Sequence, residues 1–233
     1  MRWGYTKGQW HHRCSLTSTV TLWVHPWRRR EATGNGVVVR SADDSVVGFE
    51  HEADARRCWD ALRTRFEQFG RELHGEKTRL LEFGRKAAVR RQRRGLGKPE
   101  TFTFLGFTFT GGKCRRGAFL LKRKTRGDRM RAKLREIKDQ RRSRMHDAIP
   151  EQGRRLKAVV TGFFAYPAVP TNTRALPAFR YHVTRLWLRT LQRRSQQDRM
   201  TWDRMQPLAA TWLPLPRILH PRPSQRFTVN HPR

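Results

Sequence analysis

The sequence predicts an α+β protein with its strands in the first half and helices throughout the second half. As far as residue 124, short runs of β-branched and aromatic residues alternate with turn residues, and one stretch among them has helical spacing. Beyond residue 124, apolar residues recur at helical spacing in four successive stretches. The chain is therefore divided into an N-terminal segment (1–26), a mixed segment (27–124), a helical segment (125–213) and a proline-rich basic tail (214–233).

The first predicted strands surround two adjacent aspartates. Val37-Val38-Val39 and Val46-Val47-Gly48-Phe49 flank Asp43-Asp44, and β-branched runs on both sides of a tight polar centre are typical of a β-hairpin. A helix that ends at Gly70 should follow, because apolar residues recur there at helical spacing. These residues are Ala55, Cys58, Trp59, Leu62, Phe66 and Phe69. A strand is then expected over residues 78–83.

A second group of strands is predicted after an arginine-rich loop over residues 85–99. The four phenylalanines of residues 102–109 indicate extended structure. The first two are at even positions and the last two at odd positions, so one continuous strand would place the two pairs on opposite faces. The phase changes at Leu105-Gly106, where the glycine permits a β-bulge or a kink. Gly111-Gly112 is expected to be a turn, with a return strand over residues 118–121.

The second half of the chain predicts four helices whose apolar stripes form a core. Thr171 or Asn172 is expected to cap the third helix, and the prolines from Pro214 onward predict an extended tail. The stripes consist of Met130, Leu134 and Ile137; Leu156, Val159, Val160, Phe163 and Phe164; Leu176, Phe179, Val183, Leu186, Trp187 and Leu191; and Trp202, Met205, Ala209 and Trp212.

The charge of the chain predicts a polyanionic partner. Lys and Arg number 51 against 19 acids, a formal net charge of +32, and thirteen Phe and eight Trp argue against disorder. Nucleic acid is the preferred partner, and an anionic membrane surface is the alternative. Ten of the acids lie in residues 41–82, whereas residues 111–160 contain eighteen basic and five acidic residues, so the two parts are expected to have different roles.

The cysteines and the apolar runs indicate a cellular compartment. Cys14, Cys58 and Cys114 form no close pair, so we expect neither a disulfide framework nor a zinc site, and a reducing environment suits them. No run of about 18 apolar residues occurs, so no membrane span is expected. We therefore expect a cytoplasmic protein.

The paired aspartates are the main candidate for chemistry. Two adjacent carboxylates repel each other, and Mg²⁺ offsets the repulsion because it is a hard cation that binds carboxylate and phosphate oxygens. In two-metal phosphoryl transfer, one ion activates the attacking oxygen and the other stabilises the leaving oxygen. The alternative is a solvated Asp-Asp turn at the surface.

Three short motifs occur in order in the mixed segment. Ser41-Ala42-Asp43-Asp44 resembles the Tyr-Ala-Asp-Asp hairpin of reverse transcriptases. Residues 70–78, which end in Lys77-Thr78, resemble the next motif of the palm, and Phe104-Leu105-Gly106-Phe107 resembles the hairpin that supports the primer end. The order and spacing of the three motifs are far more specific than any one of them.

The rest of the chain adds further motifs. They are Ile149-Pro150-Glu151-Gln152-Gly153, Val160-Thr161-Gly162-Phe163-Phe164-Ala165-Tyr166, Arg180-Tyr181-His182, Trp187-Leu188-Arg189 and Pro223-Ser224-Gln225-Arg226-Phe227. These motifs are similar to the maturase-specific region of bacterial group II intron proteins. From about Trp27 onward, the chain therefore resembles the C-terminal part of a group II intron reverse transcriptase/maturase, with the end of the palm, the thumb and the maturase-specific region.

The resemblance implies roles for individual residues. Asp43 would be a ligand of Mg²⁺ with Asp44 as its supporting partner, and Lys77 would be a charge partner or proton donor for the phosphates of the incoming nucleotide. Phe104-Leu105-Gly106-Phe107 would lie beneath the primer terminus. The helices after Thr125 would be the thumb, whose cations bind intron RNA and the RNA–DNA duplex. The expected RNA-binding residues are Arg90, Arg91, Arg93, Arg94, Lys122, Arg123, Lys124, Arg126, Arg129, Arg131, Lys133, Arg141 and Arg142.

Several departures from the family pattern argue against polymerisation by this chain. Ser41 and Ser45 stand where the family has aromatic residues. The two-metal site requires a further aspartate from an earlier strand, yet Glu31 is the only acid before Asp43. The residues before the hairpin are too few to encode the fingers and the first half of the palm. Residues 1–26 fit the family poorly, which suggests a frameshift or a late start, or else a segment without order.

We therefore expect a fragment that binds intron RNA but does not copy it. The resemblance implies that intact relatives copy RNA into DNA and assist splicing and intron mobility. A non-functional retroelement remnant and a still active RNA-directed DNA polymerase are the alternatives. The missing N-terminal half, or a second copy of the chain, is a further expected partner, because a partial palm leaves sheet edges uncovered.

Overall fold

A computed structural model describes residues 2–7, 16–41, 44–70, 78–194 and 200–221, with side chains from residue 23 onward. Within these residues the protein combines α-helices with two small antiparallel sheets, which confirms the predicted α+β class.

The chain forms two compact units, Met1–Lys122 and Arg123–Arg233. Strands dominate the first unit and helices the second. The first unit begins with β1 (Arg2–Lys7), α1 (Leu16–Glu31), β2 (Gly36–Ser41), β3 (Asp44–Phe49), α2 (Glu52–Gln68) and β4 (Thr78–Leu81). The hairpin β2–β3, the helix α2 and the strand β4 confirm the predictions for these segments, although β4 ends two residues earlier than the predicted residue 83.

The first four strands form one sheet in the order β2-β3-β1-β4, and every pairing is antiparallel. β1 lies between β3 and β4, so each of the two β-α-β connections skips one strand. This is the split βαβ arrangement of ferredoxin-like sheets.

β1 and the first part of α1 fall within residues 1–26, where the sequence showed no clear periodicity and no element was predicted. β1 is a central strand, with Gly4 paired to Val47 on one side and to Leu80 on the other. Its sequence contains no β-branched run, so pairing with two neighbours accounts for the strand better than local propensity does. α1 contains Pro26, which disfavours helix interiors, yet its Val24 is fully buried. Tertiary packing therefore explains both elements.

The four-stranded sheet is covered on both faces. On one face, α1 and α2 pack against β3 through Val24, Val47, Phe49, Ala55, Cys58, Leu62 and Phe66. On the other face, Val46 and Leu81 pack against Phe83, Phe102 and Phe104. β3 is thus buried on both faces, which explains its continuous apolar sequence.

A second sheet follows, and the chain reaches it through a helix. Residues 85–99 contain α3 (Arg85–Arg93), so the prediction of a loop over this whole segment was wrong. The sheet has the order β5 (Phe102–Phe104), β6 (Phe107–Lys113) and β7 (Phe119–Thr125). Gly111 and Gly112 lie inside β6, and the turn that was predicted there comes later, where the Cys114 N–H donates to the Ala118 carbonyl at 2.8 Å.

Leu105-Gly106 forms a two-residue turn between β5 and β6, and not a bulge. The φ angles of Leu105 and Gly106 are 49° and 73°, and both central residues of a type I′ turn need positive φ. Phe102 therefore pairs with Phe109, and Phe104 with Phe107. The change from even to odd positions in the sequence reflects this reversal of the chain. The reversal brings all four phenylalanine rings to one face of the sheet.

The second unit contains the four predicted helices: α4 (Gly127–Ser143), α5 (Ile149–Ala165), α6 (Ala175–Arg194) and α7 (Trp202–Trp212). Their predicted apolar stripes supply its core, in which Val160, Phe179, Val183, Trp187 and Met205 are fully buried.

Two contacts secure the ends of the second unit. The side-chain oxygens of Thr171 and Asn172 accept hydrogen bonds from the N–H groups of Arg123 and Thr125, so both predicted capping side chains are engaged with the end of β7. The described part of the tail is neither helix nor strand, and the N–H of Leu219 donates to the Ala168 carbonyl at 3.0 Å.

Candidate nucleic-acid interface

The aspartate hairpin closes one end of the four-stranded sheet. Asp44 is the first residue of β3 and is half-buried. Its Cα partners are Ser41 on β2 and Lys7 on β1. Asp43 and Lys77 lie outside the described residues, as do residues 71–77 of the second palm-like motif.

The described Cα partners of Asp44 include no second carboxylate that could help to hold Mg²⁺. β1 lies directly beside β3 and is the strand that could supply a further acid, but its sequence from Arg2 to Lys7 contains no carboxylate. A basic residue, Lys7, is paired in register with Asp44. Across the described residues, no three His, Cys, Asp or Glu side chains form a group that could hold a metal. β1 thus pairs with β3 along its whole length and contributes no acid beside Asp44.

The phenylalanine hairpin divides into a buried part and a surface part. Phe104 and Phe107 are buried, and the Phe102 and Phe109 rings stack with centroids 4.9 Å apart. Phe83 meets Phe102 edge to face at 5.0 Å. Leu105 and Gly106 at the turn are the part of the predicted primer-supporting hairpin that reaches the surface, because Leu105 is 37% exposed.

The arginines of α3 have two kinds of environment. The Arg91 guanidinium donates to the carbonyls of Leu96 and Lys98, so it closes the loop after the helix. Arg90 lies 3.5 Å from the Glu82 carboxylate. Arg93 and Arg94 are exposed and form no ion pair within the described part of the chain, so they remain candidates for RNA contact.

Two of the three cations of β7 are on its exposed positions. Lys122 and Lys124 are exposed, whereas Arg123 between them is half-buried. The Lys122 stem crosses Gly112 on β6, where an added Cβ would lie 2.6 Å from the lysine Cε. A glycine at this position therefore leaves room for the lysine.

Three of the six predicted cations on α4 and at its N-cap are exposed. Arg126 is paired with Asp128, and Lys133 with Glu136. Arg129, Arg131 and Arg142 are exposed, and none of the described acids forms an ion pair with them. These three side chains are the least neutralised of the predicted RNA-binding residues on this helix.

Arg141 is the exception, because it belongs to the interior of the second unit. It is 8% exposed, and its guanidinium donates to Gln152 Oε1 at 2.7 Å and to Thr190 Oγ1 at 3.2 Å. The guanidinium carbon lies 5.6 Å from the centroid of the Trp187 ring. Burial lowers the pKa of Arg141 to about 10, so it stays charged at neutral pH. The structure gives Arg141 a packing role in place of the expected RNA contact.

The maturase-like motifs meet in the same interior. Gln152 Oε1 also accepts from Trp187 Nε1 at 3.0 Å, and Gln152 Nε2 donates to the carbonyls of Met145 and Asp147. Gly153 packs against Trp212, with a hypothetical Cβ 2.4 Å from the ring. These motif residues therefore fix helix packing. The last motif, Pro223 to Phe227, lies outside the described residues.

Tyr166 is a surface residue that the sequence motif alone did not reveal. Its side chain is 49% exposed. Partial burial raises the pKa of the Tyr166 hydroxyl, and the nearby Arg129 guanidinium opposes that shift. The hydroxyl therefore stays protonated at neutral pH, with the Arg129 guanidinium of α4 near it.

A scan against protein-family models found no family that matches the chain, and a search of curated proteins found no relative. Among the described helices, none is both long and apolar enough to cross a membrane.

Proposed function

We propose that this chain is an RNA-binding protein of the group II intron reverse transcriptase/maturase lineage, which binds intron RNA without copying it. The observation that carries the proposal is the excess of exposed cations without acidic partners, above all Arg129, Arg131 and Arg142 on α4. When exposed and unpaired cations bind a nucleic-acid backbone, they release the counterions condensed on it, and this release favours association.

The ordered motifs support the lineage. The aspartate hairpin occurs in a β-α-β-β-α-β sheet, and the phenylalanine hairpin and a helical unit follow it along the chain. The proposed partners are intron RNA and the RNA–DNA duplex, and a cytoplasmic location suits both.

The lack of polymerisation follows from the acids of the hairpin. Two-metal phosphoryl transfer needs carboxylates that hold both ions against the reacting oxygens. Beside Asp44, β1 offers Lys7 in register and no acid. The register partner of Asp44 on β1 is thus a lysine, and β1 supplies no carboxylate for a second ion.

The proposal is tested by measuring RNA affinity as a function of salt for the full chain. We expect the logarithm of the affinity to fall steeply and linearly with the logarithm of the salt concentration. Replacing Arg129, Arg131 and Arg142 together by Gln should reduce the slope by about 2 to 3, because each phosphate contact contributes about 0.7 to 0.9.

A matched variant controls for net charge. Replacing Arg56, Arg63 and Lys86 by Gln removes the same charge from side chains that are already paired with Glu52, Glu67 and Glu50. We expect a smaller change in slope for this variant. Equal slopes for the two triple variants would contradict the assignment of the interface to α4. No binding at low ionic strength would contradict the proposed function and would favour a non-functional remnant.

A further inference from the structure

The helix α6 has a charged face that the predicted RNA-binding residues do not include. α6 spans 20 residues and contains five arginines and His182 but no Asp or Glu, so it has no acid of its own to neutralise them. Its buried side chains, among them Phe179, Val183 and Trp187, face the core. The exposed side chains include Tyr181, His182, Arg185 and Arg189.

An aromatic cluster lies at the N-terminal part of this face. The Tyr181 ring is 49% exposed, and its centroid lies 5.5 Å from Trp202 and 5.6 Å from His182. Trp202 is the first residue of α7 and is half-buried. Thr201 caps this helix, since its side chain accepts from the Arg204 N–H at 3.4 Å. The cap holds Trp202 in place beside Tyr181.

Two cations extend the face away from the aromatic cluster. Arg185 and Arg189 are exposed, and within the described ranges neither forms an ion pair. At a rise of about 1.5 Å per residue, Arg185 lies about 6 Å and Arg189 about 12 Å along the axis from Tyr181. Asp203 is the one acid within α6 and α7.

We propose that this face is a binding site for unpaired RNA nucleotides, in which a base stacks on Tyr181 and Trp202 while adjacent phosphates contact Arg185 and Arg189. The inference rests on the proposed RNA-binding function and names the form of RNA that this site takes. Exposed aromatic rings beside cations bind single strands because every unstacked base offers a π-face. A regular duplex keeps its bases stacked inside and therefore cannot use the Tyr181 ring.

The test uses the full chain and a short single-stranded RNA that carries one 2-aminopurine, with the same sequence as a duplex for comparison. Binding of the wild-type chain to the single strand should quench the 2-aminopurine fluorescence, because stacking on an aromatic ring quenches it. Tyr181→Ala should weaken single-strand binding about tenfold and remove the quenching, whereas duplex affinity stays unchanged. Tyr181→Phe keeps the ring and should retain both affinity and quenching.

Two further variants make the test specific. Phe69 is an equally exposed aromatic residue, 52% exposed, on the acid-rich part of the first unit, and Phe69→Ala should leave single-strand binding unchanged. Replacing Arg185 and Arg189 by Gln should reduce the salt slope for the single strand by about 1 to 2. Thermal unfolding of every variant shows whether it is folded.

The outcomes separate the inference from the proposed function. If wild type binds both RNAs and Tyr181→Ala binds the single strand as wild type does, the inference is overturned while the proposed function stands. If wild type binds neither RNA, the proposed function fails. If poly-glutamate binds wild type as tightly as RNA does and Tyr181→Ala weakens both equally, the face is a site for an acidic protein segment and the stacking proposal is overturned.

Discussion

Asp54 is a fully buried carboxylate in the first turn of α2. It accepts hydrogen bonds from the N–H groups of Thr33 and Gly34 at 3.0 Å and is paired with Arg57. Burial acts to raise the pKa of Asp54, but the hydrogen bonds from Arg57, Gly34 and Thr33 outweigh it, so the pKa lies below its ordinary value. Asp54 thus fixes the loop that leads into β2 and the aspartate hairpin.

Asp54→Asn should lower the free energy of unfolding at pH 7 by about 2 to 4 kcal/mol, because the amide puts N–H groups where the carboxylate accepted hydrogen bonds. The unfolded state takes up the proton first as pH falls, since the folded pKa lies below the ordinary value of 3.8. The stabilisation that the Asp54 carboxylate contributes is therefore complete above pH 3.8, and it is lost as the pH falls toward the pKa of the folded state. Urea unfolding at pH 7 and pH 3 measures the effect.

The matched control for this variant is Asp60→Asn, which changes an exposed carboxylate on the same helix. It should change the free energy of unfolding by less than about 0.5 kcal/mol. An Asp54→Asn variant as stable as wild type at pH 7 would contradict the role of the buried carboxylate.

At the scale of elements, α5 contains two glycines in different environments. A Cβ at Gly153 would lie 2.4 Å from the Trp212 ring of α7, whereas a Cβ at Gly162 would meet nothing within 4 Å. Gly153 therefore allows the close approach of α5 and α7. Gly162 only reduces the helix propensity, because glycine loses more backbone freedom than alanine.

Substituting each glycine by alanine should change stability in opposite directions. Gly153→Ala should destabilise the protein by about 1 to 3 kcal/mol through overpacking against Trp212. Gly162→Ala should stabilise it by about 0.5 to 1 kcal/mol. Thermal unfolding of the two variants measures both effects, and a rise in Tm for Gly153→Ala would show that Trp212 does not pack closely on α5.

The elements that the sequence predicted well are those with a strong local pattern. α2, α5 and α6 bury residues at helical spacing and were predicted from it. The β5–β6 turn was missed because Leu105 adopts positive φ, which an apolar residue rarely does. β1 was missed because its pairing with β3 and β4 decides its structure, and no local pattern in Arg2–Lys7 signals those partners.

At the scale of the whole molecule, the sequence predicted that the surface is rich in cations, but it did not predict which of the individual cations are exposed. The excess of cations was evident from composition, and Arg129, Arg131 and Arg142 are indeed exposed. Arg141 lies two turns after Lys133 on the same charged helix, yet it is buried by Gln152 and Trp187. Composition could not separate it from its exposed neighbours, because its partners come from α5 and α6.

The sequence predicted the aspartate hairpin as part of a partial palm, and the structure places it in a sheet with β1 beside it. The strand pairing is complete on that side, but Lys7 occupies the register position next to Asp44. At this end of the sheet, the proposed loss of polymerisation therefore rests on the absence of a carboxylate in β1.

The most direct test is a primer-extension measurement on a labelled DNA primer annealed to an intron RNA template, with Mg²⁺ and all four deoxynucleotides. The same sample is divided between a native gel, which reports binding, and a denaturing gel, which reports primer length. We expect a shifted protein–RNA complex in the native gel and an unextended primer in the denaturing gel. Primer extension that is abolished by Asp43→Ala, or the absence of a shifted complex at low salt, would contradict the central claim.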